Sequence, residues 1–271
     1  MSAQRQAVHE VEDSTTNATT ATPRAELQDV TFFYREGQPI FRDFSWQITP
    51  GEAWAVIGPS GCGKSTLLYL LTGLRQPQAG TVRVDGGAVG KPHPGSMTGL
   101  ILQDYGLLPW ATVWDNVRLG LQLRGISRGE QEEQVASWLD RLDIAGLRDH
   151  YPAQLSGGQR QRTAIARTLV FRPNLLLMDE PFNSLDALTR ERLQNVVLEL
   201  IQEHGLTTVL VTHNIEEAVF LGQRVLVLTQ PPTAETTAFD NRHEDPHAFR
   251  SAPAFLTQCT ALRELLGRSD E

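Results

Sequence analysis

The sequence predicts an α/β fold in which parallel strands are covered on both faces by helices. Two continuous apolar runs, 175–178 and 208–211, are typical of strands buried on both sides of a parallel sheet. A helical pattern over 186–203 lies between them, which makes a βαβ unit. A third apolar run, 53–57, leads into a glycine-rich turn that opens a helix. The 271 residues suffice for one large α/β domain or two small ones.

The other elements follow in chain order. Residues 1–24 are polar and rich in Thr, Ser and Ala, so we expect a disordered leader. Alternating apolar and polar residues predict strands over 27–34 and 40–48. The patterns further along predict strand 81–86, a loop over 87–99, strand 99–102, a helical region from about 104 to 148 that includes an amphipathic helix over 130–142, helix 158–171, helix 214–221 and strand 224–229. Beyond 230 we expect a solvated tail over 231–271 that ends in a docking helix near 252–266.

Composition excludes several classes of protein. The formal net charge of −8 argues against a broad nucleic-acid-binding face. Two cysteines cannot build a disulfide framework, so a reducing compartment is expected. No apolar run approaches the roughly 18–20 residues that span a bilayer, and no N-terminal segment resembles a signal peptide. We therefore expect any membrane role to come through a partner.

The glycine-rich turn is the most informative segment. It matches the phosphate-cradling P-loop pattern over Gly58, Pro59, Ser60, Gly61, Cys62, Gly63, Lys64, Ser65 and Thr66. A strand, a glycine turn and a helix N-terminus together aim backbone N–H groups and the helix dipole at one spot. Lys64 would reach the β- and γ-phosphates, and the Ser65 hydroxyl would hold Mg²⁺. Only one other lysine, Lys91, is present among 24 lysine and arginine residues.

An acidic pair ends the apolar strand at 175–178. Asp179 would bind Mg²⁺, and Glu180 would orient or deprotonate an attacking water. By itself this pair is weak evidence, because strands end in two acids by chance often enough. With the P-loop, the pair predicts phosphoryl-transfer chemistry.

A segment upstream of the acidic pair separates the classes of P-loop protein. Residues 155–162, Leu-Ser-Gly-Gly-Gln-Arg-Gln-Arg, open a predicted helix. This segment resembles the signature of ATP-binding cassette (ABC) ATPases. The other motifs of that family then follow in order over residues 27–229.

The resemblance assigns roles to single residues. Tyr34 matches the aromatic residue that stacks on adenine, with Phe32 or Phe33 as the alternatives. Gln103 matches the Q-loop glutamine, which would touch Mg²⁺ or the attacking water. His213 matches the switch histidine that senses the γ-phosphate. The matches to the D-loop are Ser184, Leu185 and Asp186.

The resemblance also implies an architecture. It implies an ABC ATPase domain over 25–230, with an antiparallel β subdomain at the start and an inserted α-helical subdomain at about 104–160. Ser156, Gly157, Gly158 and Gln159 would form a second anion site at a helix N-terminus. In the family this site faces the γ-phosphate held by a second subunit, so ATP binding produces a homodimer.

Three segments resemble ATPase subunits of the nitrate/sulfonate/taurine importer family. They are Leu107–Trp110, Val113–Val117 and His213–Leu221. In that family this region shapes the groove for a permease helix, although Trp110 and Trp114 could instead be core aromatics. Two residues depart from the family pattern: Asn183 replaces a small residue and Asn214 replaces an aspartate.

We therefore expect ATP hydrolysis that powers import of a small solute such as a nitrate-, sulfonate- or taurine-like oxyanion. The resemblance implies two permease subunits, an extracytoplasmic solute-binding protein, no nucleic acid, and a peripheral location on the cytoplasmic side of the inner membrane. The alternatives are another solute, such as bicarbonate or a vitamin precursor, or a soluble ABC ATPase without transport. A metal site at His243, His247 and Cys259 is disfavoured, because Pro246 interrupts a regular helix there.

Overall fold

The structure, a computed structural model, describes residues 22–91, 96–183, 185–234, 237–243 and 245–268. The strands are β1 (Ala25–Arg35), β2 (Gln38–Ile48), β3 (Ala53–Ile57), β4 (Ala79–Val84), β5 (Gly87–Ala88), β6 (Thr98–Ile101), β7 (Leu175–Asp179), β8 (Thr207–Val211), β9 (Arg224–Val227) and β10 (Thr237–Asp240). The helices are α1 (Lys64–Thr72), α2 (Val113–Leu123), α3 (Arg128–Arg141), α4 (Gly157–Leu169), α5 (Ala187–His204), α6 (Ile215–Leu221), α7 (Pro246–Arg250) and α8 (Pro253–Arg268).

These strands form two sheets. A four-stranded antiparallel sheet has the order β2-β1-β4-β5. A six-stranded sheet has the order β10-β9-β3-β8-β7-β6, and it is parallel except for the edge strand β10. The carboxyl ends of β3, β7 and β8 therefore meet at one edge, which is where ligands bind in open α/β sheets.

Both faces of the six-stranded sheet are buried. Trp54 and Val56 of β3 face a core shared with the antiparallel sheet and α1. Ala55 and Ile57 face the opposite core, which the other helices cover. This two-sided burial is the physical reason for the continuous apolar runs in the sequence.

The helical subdomain differs from the expected pattern at its start. Residues 102–112 form turns, and several of their backbone carbonyls accept hydrogen bonds from Arg167 and from the buried Asn116. Its Oδ1 accepts from Leu108 N at 2.8 Å. Its Nδ2 donates to three carbonyl oxygens, those of Leu108, Ala111 and Thr112. Regular helix begins only at α2, which the Thr112 hydroxyl caps.

The segment after 230 is packed rather than solvated throughout. β10 pairs with β9 and extends the six-stranded sheet. Phe249, Phe255 and Leu262 are buried in the helix-covered core. The terminal helix is present, as α8. The expected solvated tail is replaced by packed structure because α7 and α8 pack against α6 and bury these side chains.

The expected leader lies mostly outside the described residues. Arg24, at its end, pairs with Asp85, and its backbone N–H donates to Ile48 O at 2.7 Å. Within the described ranges, no helix is long and apolar enough to cross a bilayer.

Candidate nucleotide-binding site

The glycine-rich turn lies between β3 and α1. Gly61 and Gly63 adopt left-handed conformations, with φ of +81° and +105°. A Cβ on Gly63 would overlap Ile40, so both the backbone and the space require glycine there. Gly63 begins α1 without any side-chain cap, which leaves the first N–H groups of the helix for an anion. Ser60 is exposed on this turn.

Lys64 folds over its own turn. Its Nζ donates to the carbonyl oxygens of Gly58 at 2.8 Å and Pro59 at 2.9 Å. The Sγ atom of Cys62 lies 3.9 Å from the same ammonium. Burial raises the pKa of the Cys62 thiol, although the Lys64 charge opposes that effect. The thiol is buried, and this environment disfavours the reactive thiolate.

Ser65 and Asp179 meet below the turn. The Ser65 hydroxyl donates to Asp179 Oδ1 at 3.1 Å. Asp179 ends β7 and is only 3% exposed. Burial raises the pKa of its carboxyl, the Glu180 charge adds to the effect, and the Ser65 hydrogen bond opposes it. A hydroxyl and a carboxylate held together are the hard oxygen donors that Mg²⁺ prefers.

Glu180 is held at the end of β7 by the neighbouring strand. It has a left-handed backbone with φ of 44°, and its N–H donates to Val211 O at 2.9 Å. His213 follows β8, and its Nδ1 lies 3.4 Å from Glu180 Oε2. The Asn183 amide donates to the same oxygen. The sequence marks Asn183 only as a departure from the family pattern, although its spacing of three residues from Glu180 is a signal for this contact.

Tyr34 lies at the end of β1, beside the turn. Its side chain is 54% exposed, and its hydroxyl lies 3.3 Å from Thr66 Oγ1 in α1. Arg75 approaches one face, with its guanidinium carbon 5.7 Å from the ring centroid. Of the two alternatives, Phe32 is buried in the core and meets Tyr34 edge to face, and Phe33 is partly buried. An exposed ring tied to α1 is suited to stacking on a flat ligand.

The signature segment forms the N-terminus of α4. The Ser156 hydroxyl accepts from Gln159 N at 3.3 Å, and the Gln159 side chain accepts from Ser156 N at 2.9 Å. This reciprocal pair is a capping box. Gly158 packs against α5, since a Cβ there would lie 2.8 Å from Thr189 Cγ2. The N–H groups of Gly157 and Gly158 are not used by the capping box.

Two further predicted residues lie at the ends of elements. Gln103 is exposed in the turn after β6. Asp186 caps α5 by accepting from Thr189 N at 3.0 Å, and this hydrogen bond lowers the pKa of its carboxyl. Ser184 of the predicted D-loop lies outside the described residues. The structure thus brings the P-loop, Asp179, Glu180 and His213 to one edge of the six-stranded sheet. Tyr34 of the antiparallel sheet lies beside α1, and the signature lies on a separate helix.

Several known proteins are similar to this chain in sequence. A family model described as ABC transporter matches residues 41–183. The taurine import ATP-binding protein TauB of Yersinia pestis bv. Antiqua (strain Antiqua) is 45% identical over 230 residues, which cover 82% of this chain and 89% of that protein. The nitrate import ATP-binding protein NrtC of Synechococcus elongatus is 45% identical over 196 residues, which cover 72% of this chain and 29% of that protein.

Solved structures of cassettes have the same fold. The ATP-binding cassette MJ0796, solved as a dimer in a post-hydrolysis state with ADP and Pi, aligns with a TM-score of 0.72 and 30% identity. That alignment covers 81% of this chain and 99% of the cassette. The protein cbiO1 from Clostridium perfringens aligns with a TM-score of 0.72 and 25% identity over 89% of this chain and 95% of its own.

Proposed function

The chain belongs to the ABC transporter family, and from that premise we propose that it is the ATP-hydrolysing subunit of an importer for a small sulfonate or oxyanion. One observation carries the catalytic part of this proposal. The Ser65–Asp179 pair and the Glu180–His213 pair stand side by side, at the ends of β7 and β8. A phosphate-binding turn, a metal-ligand pair and an acid–histidine pair are the parts that ATP hydrolysis needs.

The P-loop binds the phosphates of the substrate ATP. The N–H groups of the turn and of the start of α1 donate to phosphate oxygens, since no side chain caps this helix. Lys64 exchanges the carbonyl oxygens of Gly58 and Pro59 for phosphate oxygens. Tyr34 stacks on the adenine, and its hydroxyl contact with Thr66 fixes the ring relative to the phosphates.

Magnesium is the metal that the donor set fits. Ser65 and Asp179 would hold it, with Gln103 reaching it from the turn after β6. When bound, Mg²⁺ neutralises charge on the β- and γ-phosphate oxygens. Asp179 must be ionised for this role, and burial makes its ionised form less favourable than in water.

Glu180, together with His213 and Asn183, positions the attacking water and accepts its proton. The Glu180 carboxylate orients the attacking water and accepts its proton. His213 uses Nδ1 toward Glu180, which leaves Nε2 for the γ-phosphate. Asn183 and His213 contact one carboxylate oxygen, Oε2, so the other oxygen is directed toward the water. Catalysis then rests on positioning and on fixed charge.

Two chains act together in this proposal. The signature of one chain, through Ser156 and the N–H groups of Gly157 and Gly158, binds the γ-phosphate held by the P-loop of the other. Asp186 would lie at the same boundary. A dimeric cassette among the structural relatives supports this arrangement. ATP would then be buried between two copies, and neither copy alone would complete a site.

The transport part of the proposal rests on the curated relatives. Two permease subunits would receive the dimer on the cytoplasmic side of the inner membrane, and an extracytoplasmic solute-binding protein would deliver the solute. The taurine relatives favour a sulfonate, and the nitrate relative favours a small oxyanion. Other subunits contact the solute, so this chain supplies energy and not selectivity.

A pull-down tests the assignment. Tagged Glu180→Gln chain is incubated with Mg-ATP in detergent-solubilised native membranes, and the proteins that co-purify are identified by mass spectrometry. We expect a multi-span permease, because the variant binds ATP and stalls before hydrolysis. The Lys64→Ala chain is the control. Recovery of soluble or nucleic-acid partners alone would contradict the importer assignment and leave the ATPase chemistry intact.

A further inference from the structure

The C-terminal segment (residues 237–243 and 245–268) holds the helix that follows His213. Asn241 is buried, and its Nδ2 donates to Val219 O at 2.7 Å and to Gly222 O at 2.6 Å. These carbonyls are at the C-terminal end of α6, where a helix leaves carbonyl groups without partners. α7 and α8 pack against the same helix. The segment therefore fixes the end of α6 that is farthest from His213.

A second contact from this segment reaches the interior beside α6. Arg250, at the end of α7, stacks its guanidinium over Phe220 with 4.1 Å between its carbon and the ring centroid. Its Nη2 donates to Gln194 Oε1 in α5 at 2.6 Å. Gln194 is 2% exposed, and its Nε2 donates to Glu217 Oε1 at 3.2 Å. One amide thus connects the C-terminal segment to a buried carboxylate in α6.

Glu217 completes the connection to the switch histidine. It is 4% exposed, and its Oε2 accepts from the Thr212 hydroxyl at 2.6 Å. Thr212 is the residue before His213, and its hydroxyl also accepts from Asn214 N at 3.0 Å. Both neighbours of His213 in the chain are therefore held by this network. We refer to Arg250, Gln194, Glu217 and Thr212 as the relay.

The relay also borders the turn that follows Glu180. Arg190 lies 3.8 Å from Glu217 Oε1, and it donates to Phe182 O and Leu185 O. A buried carboxylate is costly unless it is hydrogen-bonded, and burial raises the pKa of Glu217. Three side chains, Gln194 and Arg190 of α5 and Thr212 after β8, converge on a carboxylate that the proposed chemistry does not use, which indicates a positioning role.

We propose that Arg250 is a positioning residue for ATP hydrolysis, which acts through Gln194 and Glu217 to fix Thr212 and so hold His213 against Glu180. This inference rests on the proposed role of His213. The C-terminal segment is then part of the catalytic unit. Stabilisation of the fold alone does not require a continuous chain of hydrogen bonds from this segment to Thr212, the residue before His213.

Steady-state kinetics of the full-length chain test the relay. Arg250→Met should lower kcat by about 3- to 10-fold and leave KM for ATP unchanged, because the coupling reaches His213 and not the P-loop. Arg250→Lys should restore most of the rate. Arg263→Met, an exposed arginine on α8, is the matched control and should behave as the wild type.

Gln194→Met interrupts the relay without changing any residue of the C-terminal segment, and it decides the question if Arg250→Met fails to fold. It should reproduce the loss in kcat. The double variant Arg250→Met, Gln194→Met should be no slower than the slower single variant, because both act through one chain of contacts. Losses that multiply, or a loss that Arg250→Lys does not rescue, would overturn the relay in favour of general packing.

His213→Ala separates this inference from the proposed function. If His213→Ala is slow while Arg250→Met and Gln194→Met turn over at the wild-type rate, the relay is overturned and the proposed function stands. If His213→Ala itself turns over at the wild-type rate, the assigned role of His213 fails, and the relay fails with it.

Discussion

We expect two helix N-termini in this chain to bind phosphate, and the two differ in how their first N–H groups are capped. α1 begins at Gly63 in a left-handed conformation with no side-chain cap. α4 begins at Ser156, and its capping box already satisfies the N–H groups of Ser156 and Gln159. An uncapped helix start leaves its donors for a ligand, whereas a capped one retains only part of them.

This difference in capping indicates that the two sites have different roles in ATP binding. The α1 site has a lysine, the Ser65–Asp179 pair and backbone donors that no side chain caps, so we expect it to bind nucleotide within one chain. The α4 site has a hydroxyl and two glycine N–H groups, and its capped start is stable without any ligand. We therefore expect α1 to set the affinity for ATP and α4 to act only when a second chain brings a γ-phosphate to it.

Removing the lysine of the α1 site should have the largest effect. Lys64→Ala should lower kcat/KM for ATP by about 10²- to 10³-fold, because one fixed charge on the phosphates is lost. ATP affinity, measured by calorimetry, should fall as well. Lys91→Ala removes the other lysine, which is exposed, and should leave both unchanged. Equal activity of the two variants would contradict the P-loop assignment.

Blocking the α4 site should stop hydrolysis and spare binding. Ser156→Arg should lower the rate of hydrolysis by about 10²-fold. The ATP affinity of the single chain should not change, because α1 is intact. Ser127→Arg is a matched control, since Ser127 forms the same capping box on α3. A parallel loss in both variants would assign the effect to capping and not to phosphate binding.

Stacking of Tyr34 on the base should add to the ATP affinity of the α1 site and not to the α4 site. Tyr34→Ala should weaken ATP binding by about 1–3 kcal/mol, which is the usual value of stacking a base on an aromatic ring. Tyr34→Phe keeps the ring and loses only the hydroxyl contact with Thr66, so it should bind nearly as well. Unchanged affinity in Tyr34→Ala would move the stacking role to Phe33.

The buried carboxylate makes the α1 site a source of instability as well. Since the folded-state pKa of Asp179 is raised, ionisation is disfavoured in the fold. The free energy of unfolding therefore falls as the pH rises from the pKa of Asp179 in the unfolded chain to its higher pKa in the folded chain. Above the folded-state pKa the loss of stability is complete. Asp179→Asn should therefore raise the Tm of the nucleotide-free chain, by a margin that widens with pH. A lower Tm at every pH would show that the charge is stabilising.

The local sequence predicts the phosphate-binding turn and its strand, and it predicts few of the side-chain contacts around them. The P-loop and the strand before it follow from neighbouring residues, and the structure places β3 over 53–57 as expected. The contact of Asn183 with Glu180 depends on the turn that follows β7, and that of Arg250 with Gln194 joins residues 56 positions apart in the chain. The turns over 102–112 are stabilised by hydrogen bonds from Asn116 and Arg167, which no periodicity reveals.

The smallest expected effect concerns Gln159, which the family resemblance places at the nucleotide and the structure places in the capping box. Gln159→Ala should lower the stability by about 0.5–1 kcal/mol, because one capping bond is lost. Glu130→Ala makes the same change in the capping box of α3 and should lower the Tm by a similar amount.

The two variants should differ only if Gln159 also contacts ATP. The Gln159 change frees the N–H of Ser156 toward the anion, so a cap-only role predicts that ATP still dimerises the Glu180→Gln chain in size-exclusion chromatography. Both changes are made in the Glu180→Gln chain. Loss of the ATP-dependent dimer with Gln159→Ala, while it persists with Glu130→Ala, would show that Gln159 contacts the nucleotide of the second chain. The α4 site would then bind the nucleotide through two side chains, those of Ser156 and Gln159. The lysine would remain the main difference between the two sites.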